Sequence, residues 1–444
     1  MKTFLTGSRA RVSAWLFGAA IVTLTWRLGI ATPPVKLFEV LILLLLGWQV
    51  LAAVSGASSP AAAVALRRTA RATAPWWGLL FFGAALGWLW SIAAIPAARG
   101  YFLVAALEYG RMLFAAMLFG LVVHVVVTVG GGVRRWLWLI MLASLSLFPA
   151  LYPGWREYFF GFDDFRLRGP GSDPNYMGSW LALGATIAAG FCFSLRRYRA
   201  LAVMGLVGSA ALLIMTISRT ALLAVFAGIG IVAIIAIFQR KKPHRAWLAA
   251  GVVIFLAIGF ISGFALAPIT TRAGITHRLI VPFLGKDAGQ AVSANPSLSE
   301  IARNLGNFSS SVSGPEDGRL ALWRRGGELF FTHPLGLGPA YYHWQPLGAT
   351  ADGKPLASHN LFLETALTAG WLGLIGLGGL LWFLGRQAAL IYRKPDGPTL
   401  VGCLVVLLIT SLFLDTLTLR WLWVIAGLTV VAGMEKPDSD TITP

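Results

Sequence analysis

Charge is scarce in this sequence. Only 12% of its 444 residues are charged, about half the share of a soluble domain, which carries roughly 25%. With 57% hydrophobic residues and a mean hydropathy of +0.73, that scarcity excludes a soluble globular protein. Cysteine is nearly absent: Cys192 and Cys403 each fall in an apolar run, and neither a metal-ligand spacing nor a disulfide framework can be drawn from them. Acidic residues number 18 against 36 basic ones, so paired carboxylates are few. The pair spaced by one residue, Asp438 and Asp440, sits in the short polar tail. We expect no metal and no cofactor. There is no internal repeat, and no low-complexity tract beyond that tail. The N-terminal apolar run contains Arg27 and lacks a small-x-small cleavage site, which predicts an uncleaved first helix.

What is present is apolar sequence in helix-length pieces. Leu37 to Val54, Trp76 to Ile95 and Ala221 to Phe238 are examples, each near the roughly 20 residues that cross a bilayer core as helix. Placing a span at each recurrence predicts about twelve helices, an all-α polytopic membrane protein with one membrane-embedded domain over 1–444. The net charge of +18 would point to nucleic acid in a soluble protein. Here the basic residues lie in short loops, where a positive-inside bias accounts for them, and no nucleic-acid partner is expected. Lys2, Arg9 and Arg11, then Arg67, Arg68 and Arg71, then Arg134 and Arg135, then Arg196, Arg197 and Arg199 mark alternate loops as cytoplasmic. Arg240, Lys241, Lys242, Arg245, Arg386, Arg393 and Lys394 keep the parity, so both termini are predicted cytoplasmic.

The same parity puts four segments on the other side: 154–175, a tight corner at Arg219, a large loop over 268–358, and a corner near Arg420. The large loop contains helices. Ser297-Leu-Ser-Glu300 has the capping-box pattern before an amphipathic run, and a second helix is predicted from about Pro315 through Trp323 to His333-Pro334.

Arginines on this side run against the bias. Arg219, in Ser218-Arg219-Thr220, divides two apolar spans with almost no loop, which makes it a functional residue unless it merely snorkels. Arg319 lies within the second loop helix, where an exposed arginine is ordinary. Arg166 and Arg168 precede a helix start that Asp173 can cap, with Pro174 in the first position, so a structural turn competes with a site. His359 stands where the loop re-enters the membrane. Its imidazole can accept a proton at neutral pH; the alternative is an interfacial histidine bonded to a backbone carbonyl. Several cations and one base on one face suit an anionic, lipid-borne substrate, since arginine pairs bidentately with phosphate oxygens. A glycoside hydrolase would need two flanking carboxylates, and Asp163, Asp164, Glu300, Glu316 and Asp317 show no such pairing. Glu108 with Arg111 and Asp415 near Arg420 read as structural first, with a lesser reading in which they line the cavity.

In His359-Asn360, then nine residues, then Gly370-Trp-Leu-Gly373, the chain resembles the O-antigen ligases and the superfamily they share with O-antigen polymerases and bacterial protein O-oligosaccharyltransferases. The Ser-Arg-Thr corner, the Gly-Arg-three-residues-Trp motif at Arg319 and His-Pro-Leu-Gly-Leu-Gly at 333–338 follow in the family's order, with coverage from about Leu151 to Leu384. The resemblance implies a metal-independent, inverting glycosyltransferase of GT-C type in the bacterial inner membrane. Its donor would be an undecaprenyl-pyrophosphate-linked polysaccharide, its acceptor a sugar hydroxyl of lipid A-core, and its active site would face the periplasm. On that reading His359 is the catalytic base, Arg219 and Arg319 hold the pyrophosphate, and Asn360, Arg166 and Arg168 join them as substrate-binding residues. Polymerase is the nearest alternative, because the motif does not separate the two. A protein O-oligosaccharyltransferase ranks third, as those enzymes usually extend further after the last helix. A transporter or flippase, of a different class, would spread polar residues through mid-membrane.

Overall fold

The computed structural model describes residues 2–23, 37–54, 59–152, 166–168, 173–195, 197–240, 244–276, 319–349, 353, 355–415, 417 and 419–435. Over these the chain is almost wholly helical: α1 (Lys2–Val22), α2 (Leu37–Val54), α3 (Pro60–Ala94), α4 (Phe102–Val129), α5 (Arg134–Ser144), α6 (Pro174–Ser194), α7 (Arg199–Met215), α8 (Arg219–Arg240), α9 (His244–Leu266), α10 (Arg319–Thr332), α11 (Leu361–Ile391), α12 (Gly397–Ser411) and α13 (Arg420–Met434). A short helix at Ile269–Ile275 and a two-stranded ladder, β1 (Gly348–Ala349) with β2 (Pro355–Leu356), decorate the loop.

Six of these helices, α3, α4, α6, α8, α9 and α11, are long and apolar enough to cross a membrane, and five shorter apolar helices accompany them. The protein is a multi-pass membrane protein. The expected dozen would also need residues 134–151, where α5 stops at Ser144 and the chain tightens into a 3₁₀ stretch containing Pro149. The predicted helix after Ser297 lies outside the described residues. The second loop helix is described from Arg319 and ends at Thr332, before His333-Pro334, as proline demands.

Local rules set the helix starts. Ser59 caps α3 by accepting from the Ala62 amide, with Pro60 in the first turn. Asp173 caps α6 from its side chain, with Pro174 following, as expected from the sequence. Helices α3 and α11 form the most extensive pair. Gly83 makes this possible, because a Cβ there would lie 2.3 Å from the Ala369 carbonyl oxygen and 3.1 Å from the Gly373 amide. Helix α6 is the most enclosed span, buried against α7, α8 and α12.

The bundle has two chemically distinct ends. Arg134 at the start of α5 pairs with Asp396 at 2.9 Å, and Lys394 Nζ donates to the carbonyls of Ala432 and Glu435 that close α13. At the opposite end of α11 stand His359, the Asp173 cap and the loop carrying Asp415. The basic loops and the histidine thus lie at opposite ends of α11.

Candidate functional site

The His359 end is built around an interruption in α11. Gly370 has φ +62° and ψ −156°, a backbone region open essentially to glycine alone. The break releases carbonyls that an unbroken helix would have bonded internally, and the segment His333–Gly338 takes them. The Leu337 amide donates to the Leu367 carbonyl at 2.6 Å and the Gly338 amide to Thr368 at 3.0 Å, while the Trp371 amide returns a bond to Pro334 at 3.1 Å. Ser91 of α3 completes the set by donating to the Leu337 carbonyl at 2.7 Å. At membrane depth each backbone group needs such a partner. Gly336 and Gly338, both at φ +85°, let this extended piece lie directly on α3 and α11. The sequence motifs at 333–338 and 370–373 are therefore two halves of one junction. Gly370 and Gly373 have the spacing of small residues in close helix packing, yet Gly370 breaks the helix, while Gly373, Gly376 and Gly379 lie along α3.

Above the junction, His359 precedes the α11 cap and has φ +49°. A left-handed histidine costs about 1–3 kcal/mol, and the surrounding hydrogen bonds offset it. Asn360 caps the helix, its Oδ1 accepting from the amides of Phe362 and Leu363 at 2.9 and 3.0 Å, and its Nδ2 donates to the Leu412 carbonyl at 2.9 Å. Trp323 Nε1 donates to the Ser358 carbonyl at 3.2 Å. This explains the spacing in the Arg319 motif. Four residues apart on α10, Arg319 and Trp323 share a face; the guanidinium lies 5.8 Å from the Phe413 ring centre and the indole holds the turn before His359.

Burial lowers the His359 pKa from its ordinary value near 6.5, the Arg319 charge lowers it further, and Asp173 opposes both. The ring is consequently neutral at physiological pH and able to accept a proton.

The remaining expected residues sit on the neighbouring corner. Arg166 Nε donates to the Thr216 carbonyl at 2.8 Å and its Nη2 to Asn175 Oδ1 at 3.0 Å, while the Leu167 amide bonds the Met215 carbonyl at 2.9 Å. This short stretch thereby staples the α7–α8 corner to the start of α6. Ile217, at φ +53°, makes the turn that presents Arg219 exposed at the head of α8. Arg168, two residues beyond Arg166, is half-buried on the same stretch. Among the described residues the non-glycine positive-φ positions are Ile217, Ala340 and His359, and each borders this end of the bundle. Strain of this kind collects at working sites.

Three carboxylates absent from the expected set lie close by. Glu108, Glu364 and Asp415, with Tyr342, line a cavity of about 60 Å³. Burial raises the pKa of Asp415 and of Tyr342. Glu108 is paired with Arg111 as its spacing implied, and Arg420 pairs with Glu39. Asp173 had been read only as a cap, yet its charge reaches both His359 and Arg319. An ionisable residue inside an apolar helix is a functional candidate on principle, and that signal was available for Glu364.

Residues 204–378, which include Arg219, Arg319, His359 and both glycine motifs, match a family model described as O-antigen ligase. The chain carries an O-antigen ligase domain. A search of curated proteins finds no match. The match supports the ligase and polymerase superfamily generally and implies an enzyme of glycosyltransferase type. Several groups that shape its site lie outside the matched segment: Ser91, Asp173, Arg166, Leu412 and Asp415.

Proposed function

We propose that this protein transfers O-antigen polysaccharide from undecaprenyl pyrophosphate to a sugar hydroxyl of lipid A-core, at the periplasmic face of the inner membrane. The observation that carries the reading is a neutral, half-buried His359 held in a left-handed turn beside Arg319, inside the segment that matches the ligase family. On this reading His359 removes the acceptor hydroxyl proton, the oxygen attacks the anomeric carbon from the face opposite the pyrophosphate, and configuration inverts. The lipid pyrophosphate departs as an anion needing charge stabilisation and no proton, which Arg219 and Arg319 supply. Arg168 stays with the substrate-binding set. Arg166 and Asn360 belong to the same set and also hold the site together through their own hydrogen bonds. The GT-C likeness, the dozen spans, the cytoplasmic termini and the periplasmic placement of 268–358 belong to the same proposal.

Deleting the gene in a host with complete O-antigen synthesis tests the assignment. Long polymer accumulating on undecaprenyl pyrophosphate beside bare core is the expected result. Core carrying a single repeat would instead make the protein a polymerase, and unchanged glycans would overturn both.

A pH profile tests the electrostatics. The base must be deprotonated, so kcat/KM falls on the acid side as His359 gains its proton. Removing the Arg319 charge with Arg319→Gln lets the His359 pKa rise, and the acid limb should move to higher pH even as overall activity drops. Asp173→Asn should move it to lower pH. Limbs unmoved in both variants would show that these charges do not act on the base.

A further inference from the structure

Glu364 is an acid near the start of an otherwise apolar helix, and its Oε2 receives three hydrogen bonds: from Ser358 Oγ at 2.7 Å, from the Ser358 amide at 3.3 Å and from the Tyr341 hydroxyl at 3.0 Å. Ser358 is fully buried. Its hydroxyl has one proton to give, and the Glu364 oxygen at 2.7 Å takes it in preference to the Asn360 carbonyl at 3.2 Å, the longer of the two contacts. That leaves the Ser358 oxygen to accept from the Asn360 amide at 3.4 Å. The two residues flanking His359 are thereby tied to each other, and the tie is anchored on Glu364. Ala340, at φ +61°, turns the chain into Tyr341, the second group on the same oxygen.

An acid at a helix start can serve the helix alone, by satisfying free amides or the helix dipole. Here the Phe362 and Leu363 amides already belong to Asn360, and Glu364 reaches past the cap to a residue outside the helix. Its bonds therefore serve the turn.

We propose that Glu364 is a positioning residue for the transfer reaction: through Ser358 it holds the left-handed turn that aims the His359 imidazole at the acceptor hydroxyl. This rests on His359 being the general base. It uses the acceptor oxygen of Glu364 and not its charge, because the bonds run to Ser358 and Tyr341 and the proton chemistry stays on the imidazole.

The test compares Glu364→Ala, Glu364→Gln and His359→Ala with the wild type. Full-length protein in lipid nanodiscs is assayed with lipid-pyrophosphate-linked O-polysaccharide and lipid A-core, and amide hydrogen exchange is followed over residues 357–364. Glu364→Ala should lower kcat on the order of 10²-fold, as misplacing a reacting group by about 1 Å does, with the donor KM little changed and exchange raised in that segment. Glu364→Gln keeps an acceptor oxygen and should restore most of kcat and of the protection. A folded Glu364→Ala enzyme with wild-type kcat overturns the proposal; so does Glu364→Gln as inactive as Glu364→Ala, since charge would then be what matters. If Glu364→Ala does not fold, Ser358→Ala takes its place, with lowered kcat and raised exchange expected and an unchanged kcat overturning. Activity retained by His359→Ala removes the general-base reading and this role with it. An inactive His359→Ala enzyme beside a fully active Glu364→Ala one removes the positioning role only.

Discussion

His359→Ala should leave lipid A-core bare of polysaccharide while the variant accumulates in the membrane at the wild-type level. A positioned base contributes about 10² to 10⁴ in rate. Neither described neighbour in the turn replaces its basicity: Asn360 is an amide committed to the helix cap, and Ser358 is a buried hydroxyl. Loss of the imidazole need not unfold the protein, because the turn is held by Ser358, Asn360, Trp323 and Glu364 and not by the ring. Lipopolysaccharide gels read beside a membrane immunoblot check the result. A normal polysaccharide ladder from a normally expressed His359→Ala protein would end the general-base assignment.

The second large effect is expected at Gly370, and it concerns folding. With φ +62° and ψ −156° the position excludes a side chain on backbone grounds, and a Cβ would lie 2.4 Å from the Pro334 carbonyl oxygen and 2.5 Å from the Leu335 carbonyl carbon. The obstruction is backbone, pinned by the Trp371-to-Pro334 bond, so it cannot swing aside. Strain of about 1–3 kcal/mol and overpacking of about 1–3 kcal/mol are together a large fraction of a typical domain stability of roughly 5–15 kcal/mol. Gly370→Ala should therefore lower the unfolding temperature in detergent sharply, and the yield with it. Gly378→Ala and Gly385→Ala are internal controls, since a Cβ at either meets nothing within 4 Å; in helix they should be neutral or mildly stabilising. Gly370→Ala melting with these controls would refute the account of the junction.

The helical membrane architecture was readable from apolar run length and the placement of basic residues, because both follow from the bilayer and not from tertiary contacts. The Asp173-Pro174 start of α6 and the stop of α10 before His333-Pro334 were readable for a similar reason: capping and proline geometry are local. What escaped was long-range. That Gly370 breaks its helix to meet the 333–338 segment depends on a partner more than thirty residues earlier in the chain, and glycine spacing looks the same in either role. The bond that Arg166 makes to the Thr216 carbonyl likewise depends on a distant partner. Asn360 was visible beside a motif histidine, but its bond to the Leu412 carbonyl was not. Asp173 and Glu364 were visible as acids, but only folding shows what each of them reaches.

The anchor that Asn360 finds on Leu412 has a consequence for biosynthesis. The donor side chain and the accepting carbonyl are separated by 52 residues, and α12 is the intervening span. A ribosome that has just completed the segment matching the ligase family, ending at residue 378, has delivered the histidine, the loop arginine and both glycine motifs, yet one anchor of the His359 turn, the Leu412 carbonyl, is still untranslated. The bond between Asn360 and Leu412 can accordingly form only after α12 has been synthesised, whereas the ties from Trp323 and Glu364 are available earlier.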